Sequence, residues 1–477
     1  MRLGTLIGGE AGPTVTGFAI DHRKVADGTI FGAFAGARFN GEDFIAAAIR
    51  SGAIAVVARP EAQVEGAAHI ADPEPRRLFA SLAAQYYAPF PATAVAVTGT
   101  NGKTSTVELT RQLWRMAGFH AASIGTLGVT TADDQVSTGL TTPDIVTFLS
   151  NVAGLRREGV THLAFEASSH GLSQYRTEGL PVKAAAFTNL SRDHLDYHGT
   201  MEAYLAAKMR LFTEVVDGDG TVVIWADDVA SPAVEMAARE RGLRRLMVGG
   251  KGDVLKLVGR SPTQLGQTLL LEVDGHAKTV KLPLIGAYQA ANALVAAGLA
   301  IATGTDGDGD ADADAVLGHL ARVQPVRGRL ERATITRAGA PVYIDYAHTP
   351  DAIEAAIDAL RPHAKGRLIL VFGAGGDRDA GKRPEMGAVA ARLADVAIVT
   401  DDNPRTEDPH VIRAAILAAA PDATEIAGRR EAIAAAIAQA GADDIVLVAG
   451  KGHEQGQIVG DLVLPFDDVQ VAREVAA

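Results

Sequence analysis

A glycine-containing loop, Gly99-Thr-Asn-Gly-Lys-Thr-Ser105, lies between an apolar strand predicted at Thr93–Thr98 and a helix predicted at Thr104–Met116. A loop in this position directs backbone N–H groups and the positive end of the helix dipole at phosphate oxygens. The ammonium group of Lys103 would reach the terminal phosphates, and the Thr104 hydroxyl would bind Mg²⁺. This spacing of residue types is typical of a nucleotide site.

The loop departs from the general phosphate-loop pattern in one place, because Val97 stands where the first glycine belongs. The alternative interpretation is a glycine-rich turn with an incidental lysine, and the flanking strand and helix favour the nucleotide site. The sequence therefore predicts that ATP is bound by the loop residues Gly99, Thr100, Asn101, Gly102, Lys103, Thr104 and Ser105.

A carboxylate lies close to this loop in the predicted sheet. Phosphoryl transfer from ATP requires that the γ-phosphate charge be neutralised, which is a task for Mg²⁺ held by oxygen ligands. Glu166 ends a predicted strand on the phosphate side of the sheet. It is therefore a candidate ligand of Mg²⁺, either directly or through water.

Three blocks of alternating strands and helices position these residues. The first block, residues 1–90, contains a helix predicted at Phe44–Ser51 and a strand at Ala53–Ala58, and a proline-containing linker at 87–92 follows. The second block runs over residues 91–324, and the third over residues 325–477. The third has the layout of a Rossmann-like domain without a G-x-G-x-x-G fingerprint.

The strands of the second and third blocks are apolar runs that end in polar residues. This pattern is typical of a buried parallel sheet whose carboxyl edge carries the site. Besides Thr93–Thr98, the predicted strands are Thr161–Phe165, Lys183–Thr188, Thr221–Trp225, Val342–Asp345, Arg367–Phe372, Val396–Thr400 and Ile445–Val448.

The composition excludes several classes of function. The chain has 477 residues, a formal net charge of −12 and no cluster of basic residues, which argues against a nucleic-acid partner. The absence of cysteine excludes disulfides and thiol chemistry and suits a reducing compartment. We find no leader and no long apolar run, so we expect a cytoplasmic protein without membrane insertion. An acidic stretch at 304–312 lacks the closing Glu of an EF-hand and predicts a surface loop.

The loop also resembles the ATP site of the Mur ligases and of their relative folylpolyglutamate synthase. Six further motifs are similar to those Mur ligases that add a diamino acid to a peptidoglycan precursor. They are Glu166-Ala-Ser-Ser-His-Gly171, Thr188-Asn-Leu-Ser-Arg-Asp-His-Leu-Asp-Tyr-His-Gly199, Asp345-Tyr-Ala-His-Thr-Pro350, Gly375-Gly-Asp-Arg-Asp379, Asp401-Asp-Asn-Pro-Arg405 and Gly450-Lys-Gly-His-Glu454. The matches occur in family order over essentially the whole chain.

The resemblance implies an α/β protein of three domains that acts as a monomer. Residues 1–90 would be an α/β domain for the nucleotide sugar, and residues 91–324 a central P-loop ATPase domain with a parallel sheet. Residues 325–477 would be the Rossmann-like, amino-acid-binding domain.

The resemblance also implies an unusual metal site. His194 is similar to the family's second-metal histidine, and Lys208 matches a lysine that the family carbamylates, which converts an ammonium group into a carboxylate. Without the resemblance, His194 would more often be structural and Lys208 would be a solvated charge on a helix. The implied Mg²⁺ ligands are Thr104, Glu166, His194 and carbamylated Lys208, with Lys103 as a further catalytic residue.

Two of the implied sites serve the nucleotide and the acceptor peptide. Asn292, Arg329 and Asp345 match family contacts to ATP beyond the phosphate loop. The positions that match contacts to UDP-N-acetylmuramoyl-L-Ala-D-Glu are His22, Thr141, Thr142, Ser168, Gln174 and Arg176. The family usually has Ser where His22 stands. The alternative for the hydroxyl residues is that they cap helices or stabilise turns.

The third implied site is the pocket for the incoming amino acid. Meso-diaminopimelate differs from lysine by a distal carboxylate beside its distal amine, so its pocket needs both a cation and an anion. Arg405 can supply the cation and Glu454 the anion, whereas a lysine site would leave Arg405 buried without a partner. The remaining implied contacts are Arg378, Asp402, Asn403, Pro404 and Gly450. The alternative for Asp402-Asn-Pro-Arg405 is an ordinary turn.

The implied reaction is amide formation through an acyl phosphate. The γ-carboxylate of D-Glu would attack ATP, and the amine of meso-diaminopimelate would displace phosphate. The alternatives are a lysine-adding Mur ligase, a folylpolyglutamate synthase, and a non-catalytic protein that uses the nucleotide loop as a switch. The joint presence of Glu166, His194, Lys208 and Arg378 argues against the switch.

Overall fold

The computed structural model describes residues 1–36, 39–136, 139–263, 266–304 and 311–477. Three sheets of four, eleven and six strands follow one another along the chain, and a two-stranded hairpin completes the strands of the described ranges. The predicted surface loop at 304–312 falls largely on residues 305–310, which lie outside these ranges. In the part that is described, no helix combines the length and apolarity needed to cross a membrane.

The first sheet is wholly parallel. Its strands are Gly17–Ala19, Thr29–Gly32, Ala53–Ala58 and Ala68–Ala71, accompanied by helices at Leu3–Leu6, His22–Lys24, Gly41–Phe44, Ile45–Arg50 and Pro75–Tyr87. The predicted strand Ala53–Ala58 is confirmed, and the predicted helix begins at Ile45 after a short 3₁₀ turn. The helix Pro75–Tyr87 ends where the proline-containing linker was predicted.

The second sheet has seven parallel strands at its centre and antiparallel strands at both ends. Its strands are Thr93–Thr98, Ala121–Gly125, Gly128–Thr130, Gln135–Val136, His162–Glu166, Val182–Phe187, Val216–Trp225, Arg244–Gly249, Leu255–Thr263, Gly266–Val273 and His276–Leu282. Its helices are Lys103–Met116, Ile145–Arg157, Ser169–Ser173, Leu195–His198, Met201–Arg210, Leu211–Val215, Ser231–Glu240, Ala287–Thr303 and Ala313–Leu320.

The strand Thr93–Thr98 occupies the middle of this sheet and pairs with His162–Glu166 on one side and Val182–Phe187 on the other. All three are nearly continuous apolar runs, and helices such as Lys103–Met116 and Ala287–Thr303 cover them. Because the strands are parallel, their carboxyl ends lie at one edge. The phosphate loop and Glu166 therefore meet there, as the sequence predicted.

The third sheet consists of five parallel strands and one antiparallel edge strand. Its strands are Glu331–Ile335, Pro341–Asp345, Leu368–Phe372, Val396–Val399, Thr424–Glu425 and Ile445–Ala449, and the separate hairpin pairs Gly456–Val459 with Leu462–Pro465. The helices are Pro350–Leu360, Arg361–His363, Lys382–Leu393, Pro409–Leu417, Arg429–Gln439 and Asp468–Ala476. The predicted strands are confirmed to within one residue at each end, except that Val216–Trp225 in the second sheet begins earlier.

A fully buried ion pair fixes the carboxyl edge of the third sheet. Arg429 donates to both carboxylate oxygens of Asp468 at 2.8 and 2.6 Å and to the carbonyl of Ala449 at 3.0 Å. Both charged side chains are 0% exposed. The pair therefore joins two helices to the end of the strand Ile445–Ala449.

We expect Asp468→Asn to lower the free energy of unfolding by about 3–5 kcal/mol, because it leaves a buried guanidinium without its counter-charge. Urea denaturation followed by circular dichroism measures this loss. The matched control is Glu474→Gln, which breaks the exposed Arg430–Glu474 pair on the same two helices. Exposed pairs contribute about 0–1 kcal/mol. Equal losses in the two variants would contradict the expectation.

Candidate functional site

A cavity of about 1100 Å³ lies where the carboxyl edge of the second sheet faces that of the third. The second sheet contributes residues between Thr126 and Asp196, and the third contributes residues between Arg327 and Val463. Most of the lining side chains can donate or accept hydrogen bonds. The cavity is therefore suited to polar, charged ligands.

The phosphate loop adopts the sharp turn that its glycines predict. Gly99 has φ of +150° and Gly102 has φ of +86°. A β-carbon would lie 1.9 Å from Thr188 Oγ1 at the first glycine and 2.2 Å from Asn292 Oδ1 at the second. Neither position can accept a larger residue without displacing these neighbours, so the loop packs tightly against two other segments.

Two lysines converge on the same carbonyl oxygen. Lys103 Nζ donates to the carbonyls of Gly99 at 2.9 Å and Thr100 at 2.8 Å, and Lys208 Nζ donates to Gly99 at 2.7 Å. Burial lowers the pKa of Lys103. Burial and the adjacent charge of Lys103 lower the pKa of Lys208 well below its ordinary value. Lys208 is 1% exposed and also lies 4.3 Å from the Tyr204 ring centroid.

The loop of residues 325–330 reaches across to the phosphate loop. Arg329 Nη2 donates to Thr104 Oγ1 at 3.1 Å, and its guanidinium lies 4.6 Å from the ring centroid of Tyr346. Asp345 accepts from the backbone N–H groups of Leu330 and Ala347, and burial raises the pKa of Asp345 to about 6. The structure thus brings the predicted residue Arg329 into contact with the phosphate loop, and Asp345 binds the backbone of the next residue, Leu330.

Asn292, the third predicted nucleotide residue, lies on the helix Ala287–Thr303 beside Gly102. Its Nδ2 atom is buried and makes no hydrogen bond with any of the described residues. An unpaired buried donor is costly, so a ligand acceptor at this point would remove the cost.

Glu166 is the last residue of its strand and is 1% exposed. Its carboxylate accepts from the backbone N–H of Thr126 at 2.7 Å and from the Thr126 hydroxyl at 3.2 Å. A β-carbon on Gly125 would lie 2.3 Å from Glu166 Oε1. The neighbouring turn therefore holds the carboxylate in place.

His194 lines the same cavity and has φ of +54°, an unusual conformation for a residue other than glycine. Its ring contacts His170 at 4.9 Å between centroids, and its Nε2 lies 3.5 Å from the Asp193 carboxylate. Burial lowers the pKa of His194, and it lowers that of His170 to about 4. Both rings are therefore neutral at pH 7.

The described residues contain no group of three His, Asp or Glu side chains arranged to hold a metal ion. The predicted Mg²⁺ ligands include only two residues of these types, Glu166 and His194. The other two are Thr104, which accepts from Arg329, and Lys208, whose amine donates to Gly99.

The predicted residues for the acceptor peptide form a connected group, apart from His22. Thr142 Oγ1 donates to the Glu166 carbonyl at 2.8 Å and lies 2.9 Å from Ser168 Oγ. Arg176 donates to the Thr142 carbonyl and to Gln174 Oε1, both at 2.8 Å. Ser168 also caps the helix Ser169–Ser173 by accepting from Gly171 N–H. Thr141 joins the group through a 3.1 Å contact between its hydroxyl and that of Thr126.

His22 lies in the first sheet's part of the chain and does not line the cavity. Its ring stacks on Phe44 with centroids 4.5 Å apart and planes 4° apart. This contact occupies one face of the imidazole.

The predicted amino-acid pocket is built around Asn403. Asn403 Nδ2 donates to Glu454 Oε2 at 2.8 Å, and Asn403 Oδ1 accepts from Lys451 Nζ at 2.9 Å and from Ile458 N–H at 2.9 Å. Gly450 has φ of +116°. A β-carbon at this position would lie 2.8 Å from Asp402 Oδ2, so the absence of a side chain leaves room for the Asp402 carboxylate. The two predicted motifs therefore form one hydrogen-bonded unit.

Arg405 projects its guanidinium into the cavity. Its Nη1 donates to the carbonyl of Gly376 at 2.7 Å and lies 3.5 Å from the carbonyl of Asn403. Pro404 packs its carbonyl against Gly376, where a β-carbon would lie 1.9 Å away. Arg378 is exposed and lines the same part of the cavity.

Sequence reasoning missed Lys451, which is 0% exposed and ties Asn403 to Glu454 through a 3.1 Å bond to the carboxylate. It also missed Asp193, whose negative charge opposes the lowering of the pKa of Lys103, His194 and Lys382 by burial. Both residues lie inside motifs that the sequence analysis had recognised. A charged side chain inside such a motif was the signal that could have identified each of them.

His453 provides a test of the site's electrostatics. Burial, together with the charges of Arg329 and Arg327, lowers the pKa of His453 to about 3. The unfolded chain binds a proton at this residue near pH 6.5 and the folded chain does not, so stability is lost as the pH falls below 6.5. In the unmodified protein this residue should lower the free energy of unfolding by about 1 kcal/mol between pH 7.5 and 5.5. We expect His453→Asn to abolish this loss.

Chemical denaturation at the two pH values measures this difference. The matched control is the exposed His276→Asn, which should show the same pH dependence as the unmodified protein. An unchanged pH dependence in His453→Asn would contradict the expectation.

Comparison with known proteins identifies the class. The Mur ligase middle domain matches residues 97–300, and the Mur ligase glutamate ligase domain matches residues 328–452. Relatives with high identity over almost the whole chain agree with these matches. The chain therefore belongs to the Mur ligase family, which confirms the predicted membership.

Two similar relatives are both named UDP-N-acetylmuramoyl-L-alanyl-D-glutamate–2,6-diaminopimelate ligase. The protein of Zymomonas mobilis subsp. mobilis is 58% identical over 464 residues, covering 96% of this chain and 94% of the relative. That of Caulobacter vibrioides is 50% identical over 465 residues, with coverage of 96% and 94%. A solved structure of a protein with this name has a TM-score of 0.72 at 32% identity and covers 100% of this chain and 98% of its own.

Proposed function

We propose that this chain is an ATP-dependent ligase that adds meso-diaminopimelate to UDP-N-acetylmuramoyl-L-Ala-D-Glu in peptidoglycan precursor synthesis. The observation that carries the proposal is the Arg329–Thr104 hydrogen bond, which joins the phosphate loop to the part of the chain whose Arg405 and Glu454 line the polar cavity. Relatives with 58% and 50% identity bear the corresponding name. The protein would act as a monomer in the cytoplasm, where ATP is made and used.

The proposed division of labour follows the three sheets. Residues 1–90 would bind the nucleotide part of the acceptor, residues 91–324 would bind ATP, and residues 325–477 would bind the amino acid. Support comes from the hydrogen bond between Arg329 and Thr104, which links the beginning of residues 325–477 to the phosphate loop. His22 would contact the nucleotide part of the acceptor only through the imidazole face opposite Phe44.

In the proposed reaction the γ-carboxylate of D-Glu attacks the γ-phosphate of ATP, which forms an acyl phosphate and releases ADP. Lys103 is held by two carbonyls and would neutralise the charge that develops on the transferred group. The loop N–H groups and Asn292 would hold the nucleotide, and Arg329 and Asp345 would complete its site. The amine of meso-diaminopimelate then displaces phosphate from the acyl phosphate, which forms the amide.

The residues at the phosphate loop fit Mg²⁺ if Lys208 carries a carbamate. As an ammonium group, Lys208 would repel a divalent cation, and it already shares Gly99 with Lys103. As a carbamate it would add a carboxylate to the hydroxyl of Thr104, the carboxylate of Glu166 and the imidazole of His194, a set with mainly oxygen donors. When bound, Mg²⁺ would supply neutralisation of the phosphate charge.

Carbamylation of Lys208 can be observed directly. In ¹³C-bicarbonate, the unmodified protein should give a carbamate resonance that Lys208→Ala lacks. The exposed Lys256→Ala is the matched control and should retain the resonance. A spectrum that is identical with and without Lys208 would remove this residue from the proposed metal site.

Selection of the amino acid would depend on paired charges. Arg405 would bind the distal carboxylate and Glu454 the distal ammonium group, while Arg378, Asp402, Asn403, Pro404 and Gly450 shape the pocket. Thr141, Thr142, Ser168 and Arg176 line the opposite wall and would hold the muramoyl dipeptide. Gln174 would act with them through its hydrogen bond with Arg176.

ADP release and product mass test the proposed function. The protein is supplied with UDP-N-acetylmuramoyl-L-Ala-D-Glu, ATP and Mg²⁺, and meso-diaminopimelate is compared with L-lysine. We expect turnover with meso-diaminopimelate and a product heavier by the mass of meso-diaminopimelate less one water. Turnover with lysine alone would refute the pocket assignment, and no turnover with either would refute the proposed reaction.

A further inference from the structure

The hairpin formed by Gly456–Val459 and Leu462–Pro465 lies against the Asp402–Arg405 segment rather than against the third sheet. Both faces of its second strand are exposed. A hairpin with so little apolar burial contributes little to a core. Its contacts with residues 402–405 are therefore the feature that needs an explanation.

Those contacts hold the backbone of Arg405 on both sides. Arg405 N–H donates to the Ile458 carbonyl at 3.0 Å, and the Arg405 carbonyl accepts from Gly460 N–H at 2.7 Å. Arg405 has φ of +54°, a left-handed conformation that residues other than glycine rarely adopt. Such a conformation persists where the surroundings fix it. The hairpin supplies this restraint.

One side chain of the hairpin reinforces the restraint. Gln457 Nε2 donates to the Asp402 carbonyl at 2.7 Å, and Ile458 N–H donates to Asn403 Oδ1 at 2.9 Å. Gln457 is half-buried and does not line the cavity. It can therefore affect a ligand only through the segment that it holds.

We propose that Gln457 is a positioning residue for selection of the amino acid, because it fixes the segment from which Arg405 reaches the cavity. This inference rests on the proposed function, in which Arg405 binds the distal carboxylate of meso-diaminopimelate. A guanidinium binds a carboxylate through two parallel hydrogen bonds, so a small displacement of its backbone weakens the pair. Gln457 therefore governs the preference for meso-diaminopimelate over lysine and does not affect phosphoryl transfer.

Gln457→Met tests the proposal because methionine keeps the side-chain volume and removes the donor. We expect the KM for meso-diaminopimelate to rise about tenfold, while kcat at saturation and the KM for ATP stay within twofold. The ratio of kcat/KM for meso-diaminopimelate to that for L-lysine should fall by a similar factor. Gln439→Met, at an exposed glutamine, is the matched control and should change none of these values.

A double-mutant cycle separates positioning from a general structural role. In the Arg405→Ala background, Gln457→Met should cause no further rise in the KM for meso-diaminopimelate, because its effect passes through Arg405. Gln457→Ala, measured in the same way, replaces Gln457→Met if that variant unfolds.

An unchanged KM in Gln457→Met, an equal rise in the KM for ATP, or additive effects in the cycle would each overturn the proposal. The unmodified protein provides the reference for the proposed function. If it does not use meso-diaminopimelate, the proposed function fails. If it does and Gln457→Met behaves like it, only this inference fails.

Discussion

Lys103→Ala should reduce kcat for ADP release by about 10³-fold or more. The substitution removes the ammonium group that we place beside the transferred phosphoryl group, and loss of one pre-positioned donor typically costs 10²–10³-fold. It also leaves the carbonyls of Gly99 and Thr100 without the donor that they have in the structure. Steady-state ADP release at saturating substrates measures the effect.

The control for this variant is Lys256→Ala, an exposed lysine that pairs with Glu272 on the strands remote from the phosphate loop. We expect its kcat to stay within twofold of the unmodified protein. Retention of more than a tenth of the activity by Lys103→Ala would contradict the assignment of Lys103 to the phosphoryl group.

The second large effect is expected for Arg405→Ala, which should lower kcat/KM for meso-diaminopimelate by about 10²–10³-fold. Removal of one member of a buried, hydrogen-bonded charge pair costs about 2–5 kcal/mol. L-lysine has no distal carboxylate, so its kcat/KM should not fall. The KM for ATP should remain unchanged because Arg405 donates to Gly376 in the third part of the chain, whereas Lys103 donates to Gly99 and Thr100 of the phosphate loop.

Competition between the two amino acids, with the products separated by mass, measures this change in preference. Arg392→Ala is the matched control, since Arg392 is exposed and pairs with Glu354 at the surface. An equal fall for both amino acids would mean that Arg405 supports the pocket as a whole, and the assignment of Arg405 to the distal carboxylate would be wrong.

Local patterns were sufficient to predict the strand–loop–helix arrangement at residues 93–116. The loop Gly99–Ser105 combines a strand, two glycines and a helix start within a few residues, and the structure reproduces this arrangement. Glu166 was predictable for a related reason, because a polar residue at the end of an apolar strand lies at the edge of a parallel sheet. Both inferences need only short-range geometry.

Contacts between distant segments could not be predicted in this way. Arg329 bonds to Thr104 across 225 positions of the chain, and no local pattern encodes that pairing. Family resemblance supplied Arg329, but it gave no sign of its contact with Tyr346. The stacking of His22 on Phe44 likewise depends on the packing of the first sheet.

The outer strands of the second sheet were missed for a different reason. The strand Leu255–Thr263 is mostly exposed and mixes polar with apolar residues, so it lacks the continuous apolar run of a central strand. The hairpin at 456–465 is similar, because its first strand is only half-buried and its second strand is exposed on both faces. Its partner is the irregular Asp402–Arg405 segment, which no strand pattern indicates.

The cavity between the second and third sheets has a consequence for inhibitors and for resistance to them. Its two walls come from separate stretches of the chain, one ending at Asp196 and the other beginning at Arg327. A compound that occupies only the amino-acid side depends on the second stretch, so a single tolerated substitution there can defeat it. A compound that spans both walls contacts both stretches, so a resistance substitution in either one must weaken its binding without loss of turnover, and few substitutions can do so.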